Sequence, residues 1–139
     1  MKKIYLLQVI LFFLLSCTNA KKEKVEIKET KVMLRADTIN IVKLTDTLVI
    51  YESTCRGCAY ESSTAFAIKD SLDMVKLLTV ATLDNNPPEM NGGNISKNLI
   101  LVPAKTGSTI LKMYKFWQGV PSALSDSLPF TAYKIEIRN

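Results

Sequence analysis

The chain has 139 residues, with 18 lysine or arginine and 13 aspartate or glutamate side chains, and it contains no histidine. The missing histidine excludes Ser-His-Asp and Cys-His catalysis and removes the commonest general base and zinc ligand. The modest net charge of +5 does not indicate nucleic-acid binding, and the five glycines match no phosphate-binding loop. We therefore expect a protein that is not an enzyme and needs no cofactor or metal.

Residues 1–16 predict a lipoprotein signal peptide. Lys2 and Lys3 precede an apolar run at residues 4–15, which is shorter than the roughly 20 residues that a bilayer-spanning helix needs. The sequence LLSC at residues 14–17 resembles the lipobox of bacterial lipoproteins. That resemblance implies cleavage before Cys17, acylation of its thiol, and a lipid anchor in the bacterial cell envelope, on the periplasmic or surface face of a membrane. An ordinary signal peptide with an incidental Cys17 is the alternative. Removing Lys2 and Lys3 leaves 16 basic and 13 acidic side chains, a net charge of +3.

Residues 17–35 are predicted to be the acylated cysteine and a flexible, charged tether, and residues 36–139 a single domain. Short apolar and β-branched runs predict about seven strands, at residues 38–43, 47–51, 64–68, 74–83, 98–102, 108–117 and 130–138. Residues 64–68 could also be helical. In the last run, Tyr133, Ile135 and Ile137 alternate with charged side chains, as in a half-buried strand.

Loops are predicted at residues 84–93 and 118–129, which contain several prolines and glycines. Residues 103–107 predict a turn that joins its two flanking strands in a hairpin. Together these patterns favour an all-β fold, an immunoglobulin-like antiparallel β-sandwich of about seven strands, preceded by the signal peptide and tether.

The order of three loops in this domain resembles the chagasin family of cysteine protease inhibitors. Family members have an Asn-Pro-Thr-Thr-Gly loop, a glycine-rich loop and an Arg-Pro-Trp motif. The segments in the corresponding places are Ser53, Thr54, Cys55, Arg56 and Gly57, followed by Tyr60; Asn91, Gly92 and Gly93; and Lys115, Phe116 and Trp117.

This resemblance implies that the three loops form a wedge at one end of the sandwich and bind a papain-like cysteine protease. Another envelope protein is the alternative partner, and no small-molecule ligand is expected. A rigid sandwich would hold the loops in their bound conformation before binding and so lower the entropic cost of binding. Trp117 and Phe116 could serve as interface anchors, or they could cap the core at the end of a strand.

Cys55 and Cys58 are the other feature that could carry chemistry, and three interpretations stay open. An oxidising compartment favours a structural disulfide that makes the loop rigid. The strand-like residues 48–51 before Cys-Arg-Gly-Cys also fit a thioredoxin-like thiol–disulfide oxidoreductase with a helix after Cys58. Free thiols or a metal-binding pair are the third interpretation, although the chain offers no second pair of ligands.

Overall fold

The structure, a computed structural model, describes residues 30–139. The predicted signal peptide, Cys17 and most of the predicted tether lie outside the described residues. The described part of the chain forms eight strands. In chain order they are β1 (Lys31–Met33), β2 (Ile39–Lys43), β3 (Thr47–Cys55), β4 (Ala65–Asp70), β5 (Val75–Leu83), β6 (Asn94–Pro103), β7 (Gly107–Phe116) and β8 (Thr131–Arg138).

The strands form two four-stranded sheets that pack face to face. One sheet has the order β1-β3-β6-β5, and the other has the order β2-β8-β7-β4. All neighbouring strands are antiparallel except the edge pairs β1–β3 and β2–β8, which are parallel. The predicted all-β sandwich is therefore confirmed, with one strand more than the sequence pattern indicated.

Alternating apolar side chains build the core between the sheets. Leu48 and Ile50 of β3 pair in register with Leu101 and Leu99 of β6, and all four are essentially inaccessible to solvent. The facing sheet contributes the buried side chains Leu111, Met113, Tyr133, Ile135 and Ile137. The predicted alternation in the last strand is confirmed, because the exposed Lys134 and Arg138 alternate with the buried Tyr133, Ile135 and Ile137. Burial of these apolar side chains is the main favourable term in folding.

Three local predictions differ from the structure. The predicted hairpin across residues 103–107 is wrong, because β6 and β7 lie in different sheets and the turn crosses between them. Residues 65–68 belong to a strand, β4, so the helical alternative for that segment is also wrong. Finally, β1 lies within the segment that we predicted to be tether, where it pairs with β3 through Val32 and Leu48.

No helix is present between residues 30 and 139 that could cross a membrane.

Candidate functional site

Three loops meet at one end of the sandwich, which we call the loop end. The first loop (residues 56–64) joins β3 to β4, the second (residues 84–93) joins β5 to β6, and the third (residues 117–130) joins β7 to β8. Strand register places them together, since Cys55 pairs with Asn94 and Ala65 pairs with Phe116. The turns at residues 44–46, 71–74 and 104–106 lie at the opposite end.

Arg56 ties the first loop to the second. Its backbone N–H donates to the Gly93 carbonyl oxygen over 2.9 Å, its Nε lies 2.6 Å from Asp84 Oδ2, and its Nη1 donates to the Met90 carbonyl oxygen. Hydrogen bonds to Asp84 from the backbone and side chain of Asn86, and then the Arg56 guanidinium, lower the pKa of this carboxyl. Both loops are therefore held by one arginine at the start of the first loop.

Tyr60 and Ser63 tie the first loop to the third. The Ser63 hydroxyl donates to the Trp117 carbonyl oxygen over 2.6 Å, and the Gly119 N–H donates to the Ser63 carbonyl oxygen over 3.0 Å. The Tyr60 and Trp117 rings meet edge to face, with their centroids 6.3 Å apart. The first loop is consequently the central one of the three, because it contacts both of the others.

The two aromatic side chains at this junction are open to solvent. Trp117 is 55% exposed and Tyr60 is 49% exposed, so Trp117 does not cap the core. Phe116 is half-buried, and its ring stacks on the fully buried Tyr114 with a centroid distance of 6.2 Å. Phe116 therefore covers the outer face of its sheet, whereas Trp117 projects from the loop end.

Lys115 points between the sheets and supports the loops from inside. Its Nζ donates to Glu52 Oε2 over 3.2 Å and to the Ser53 carbonyl oxygen over 2.7 Å, so it joins β7 to β3. The same ammonium lies 5.5 Å from the centre of the Trp117 ring. Thr54, from the same predicted loop set, is also buried. Within that set, Lys115 thus supports the loops and Thr54 is buried in the interior, whereas the exposed members include Gly57, Asn91 and Trp117.

The third loop folds back over the outer face of its sheet. Asp126 forms ion pairs with Lys112 of β7 and Lys69 of β4, at 2.8 and 3.1 Å. Hydrogen bonds from these two lysines lower the pKa of Asp126. Between this loop and Phe116 lies an open apolar groove of about 850 Å³, whose lining includes Tyr60, Trp117, Val120, Pro121 and Leu128.

Cys55 and Cys58 are joined by a disulfide in the structure, with their Cα atoms 5.8 Å apart. Cys55 is the last residue of β3 and is half-buried, whereas Cys58 is exposed in the first loop. The chain continues after Cys58 through turns at residues 59–63 into β4. A thioredoxin-like arrangement needs a helix directly after the second cysteine, so that fold is wrong for this chain.

Sequence patterns missed several residues of this end. Asp84, Asn86 and Met90 were predicted only as loop residues, and the contacts of Arg56 with Asp84 and Met90 span 28 and 34 positions. The apolar residues Val120, Pro121 and Leu128 were likewise predicted only as part of the loop at residues 118–129. Their spacing has no periodicity that could have revealed the groove. Within residues 30–139, no three His, Cys, Asp or Glu side chains lie close enough together to hold a metal ion.

Comparison with known proteins identifies the fold. No protein-family model and no curated protein matches the chain. Among solved structures, it is similar to the crystal structure of EhICP2, a cysteine protease inhibitor from Entamoeba histolytica, with a TM-score of 0.54 and 18% sequence identity over 80% of this chain and 98% of that one. The solution structure of Amebosin gives a TM-score of 0.44 and 11% identity over 79% of this chain and 98% of that one. The likeness to EhICP2 shows a chagasin-like, immunoglobulin-like fold.

Proposed function

We propose that this protein is a membrane-anchored inhibitor of papain-like cysteine proteases and that the loop end is its contact surface. One observation carries the proposal: three loops that are distant in sequence meet at one end and are tied together by Arg56, Ser63 and the Tyr60–Trp117 ring pair. The likeness of the fold to a cysteine protease inhibitor supports the same assignment.

The physical basis of inhibition would be a wedge whose shape is set before binding. Contacts between the loops reduce the conformational entropy that would otherwise be lost on association. The exposed Trp117 and Tyr60 rings offer large contact areas with few rotatable bonds, which is typical of residues that dominate interface energies. The exposed apolar surface of the groove next to Trp117 also favours a protein partner, and another envelope protein is the alternative to a protease.

The position of the chain entry fits a lipid anchor at the far end. The carbonyl oxygen of Thr30 accepts a hydrogen bond from the Thr47 N–H, and Lys31 pairs with Thr47 at the start of β3. The chain therefore enters the sandwich at the end opposite the loops. If Cys17 is acylated, the 13 residues from 18 to 30 can span at most about 45 Å, and the loop end would face away from the membrane.

Titration of papain with the full chain purified in detergent tests the inhibitory part of this proposal. We expect stoichiometric inhibition that weakens at least tenfold in Trp117→Ala and is unchanged in Lys43→Ala, at the opposite end. If the wild-type chain does not inhibit papain at concentrations up to about 10 μM, the proposed inhibitory function is refuted and only the fold assignment stands.

Lipid attachment is tested separately by intact mass spectrometry and membrane fractionation. We expect the mature chain to begin at an acylated Cys17 and Cys17→Ser to leave the membrane fraction. A mature wild-type chain without added acyl mass would contradict the anchor and leave the inhibitory proposal standing.

A further inference from the structure

We infer that the Cys55–Cys58 disulfide is an exchange site for the catalytic thiolate of the protease whose cleft the loop end enters, with the Sγ atom of the exposed residue Cys58 as the atom attacked. This inference rests on the proposed function and adds a covalent step to it. The partner is defined by its chemistry, since a papain-like protease offers a nucleophilic cysteine thiolate at the bottom of its cleft.

The position of the disulfide within the loop end is the first argument. The first loop contacts both neighbouring loops, through Arg56 on one side and Ser63 on the other, so it lies in the middle of the loop end. A cleft that accepts all three loops would hold this central loop in its middle. Cys58 is exposed on this central loop and would be the disulfide sulfur closest to the base of the cleft.

Access to Cys58 is the second argument. Cys58 lines an open depression of about 360 Å³ together with Gly57, Glu61, Ser62, Thr64 and Lys97. Gly57, with a φ of 74°, adds no side chain to the approach. Lys97 brings a positive charge that favours an incoming thiolate, although Glu61 partly offsets it. Cys55, at the half-buried end of β3, is the less exposed of the two cysteine residues.

The exchange step balances without an added oxidant. The protease thiolate attacks Cys58 Sγ, a new sulfur–sulfur bond forms between them, and the Cys55–Cys58 bond breaks. The electron pair leaves on Cys55 Sγ, which takes a proton from solvent. The protease sulfur is thereby oxidised to a mixed disulfide and Cys55 is reduced. Attack by Cys55 on the mixed disulfide restores the starting state, so the covalent complex is reversible.

The test uses the full chain in detergent with its disulfide intact, and papain freed of excess reductant. After mixing, free thiols are alkylated and the products are analysed by mass spectrometry without reduction. We expect an adduct of one papain and one inhibitor, in which Cys58 is linked to the catalytic cysteine and Cys55 is alkylated. Because binding raises the effective thiol concentration to roughly millimolar, exchange at about 10 μM papain should be about 100-fold faster than with about 10 μM glutathione.

Two controls isolate the thiolate. Papain whose catalytic cysteine has been alkylated should give no adduct, and the Cys55→Ser/Cys58→Ser double variant should give none with active papain. An adduct through Cys55 instead of Cys58, or exchange no faster than with glutathione, would overturn the inference.

The outcomes separate this inference from the proposed function. Inhibition with an intact disulfide and no adduct would refute the exchange site and leave the inhibitor standing. An adduct through Cys58, in a mixture where the papain without adduct keeps its full activity, would support exchange. It would also refute inhibition by non-covalent binding of the loop end. Neither inhibition nor adduct would refute both.

Discussion

Arg56→Ala is the sharpest perturbation of the loop end. Arg56 is only 19% exposed, and its guanidinium makes a charge-assisted contact with Asp84 and a hydrogen bond to the Met90 carbonyl oxygen. Alanine removes both contacts but keeps the backbone hydrogen bond to Gly93. The substitution should therefore loosen the second loop and leave the sandwich folded.

The size of the effect follows from the exposure of these contacts. Both of them lie at the surface, and Asp84 is 35% exposed, so water screens the ion pair and competes for its hydrogen bonds. Exposed pairs of this kind change an equilibrium constant by at most about fivefold, and we expect a loss of that size in the ordering of the second loop.

Hydrogen exchange and inhibition both measure this loss. We expect about fivefold lower protection of the amides in residues 84–93 and a papain inhibition constant up to about fivefold higher, with the melting temperature nearly unchanged. Lys43→Ala, at the opposite end, is the matched control and should change neither quantity. Unchanged protection in residues 84–93 would show that Arg56 does not hold the second loop, and an inhibition constant within twofold of wild type would show that loop order does not limit binding.

Three further predictions address the aromatic anchor, the inner lysine and acid stability. Trp117→Ala should weaken papain inhibition by about 10- to 100-fold while lowering the free energy of unfolding by less than about 1.5 kcal/mol, because the exposed Trp117 ring packs mainly through an edge contact with Tyr60 and a cation–π contact with Lys115; equal losses of binding and stability would contradict this. Lys115→Met should lower the free energy of unfolding, measured in urea, by about 1–3 kcal/mol, because it leaves the half-buried Glu52 carboxylate without its ion-pair partner. Lys134→Met, at an exposed position, should lower it by under about 0.5 kcal/mol; equal losses would refute the role of Lys115 in joining β7 to β3. Burial of Asp70 opposes its ionisation, but hydrogen bonds from Thr109 and from the backbone of Leu72, Met74 and Val75 outweigh burial and lower its pKa. Stability from ionised Asp70 is thus present above its unfolded pKa and lost as pH falls through the lower folded value, so Asp70→Asn should be less stable at neutral pH and show a flatter acid decline; an unaltered pH profile would contradict this.

Local patterns predicted most of the strands because each strand has an inner face that must be apolar. The alternation of Tyr133, Ile135 and Ile137 predicted β8, and the apolar residues 98–102 predicted the second half of β6. The patterns failed where a strand has polar inner residues. In β3, the polar residues Glu52 and Thr54 face inward, and the Glu52 carboxylate pairs with Lys115, so the strand runs past Tyr51 to Cys55.

Long-range pairing was less accessible from the sequence. A turn such as residues 103–107 looks the same locally whether it joins neighbours in one sheet or crosses between two, which explains the wrong hairpin. β1 has only three residues among charged neighbours, so no periodicity could reveal it. The contacts of Arg56 with Asp84 and of Tyr60 with Trp117 join residues 28 and more positions apart, and only the folded chain brings them together.

A hydrogen-exchange footprint of the papain complex tests the central claim most directly. Binding through the loop end predicts new protection in residues 56–64, 84–93 and 117–121, with none in the turns at residues 44–46, 71–74 and 104–106. Protection centred on those turns, or on the outer face of either sheet, would contradict an inhibitor that works through its three loops.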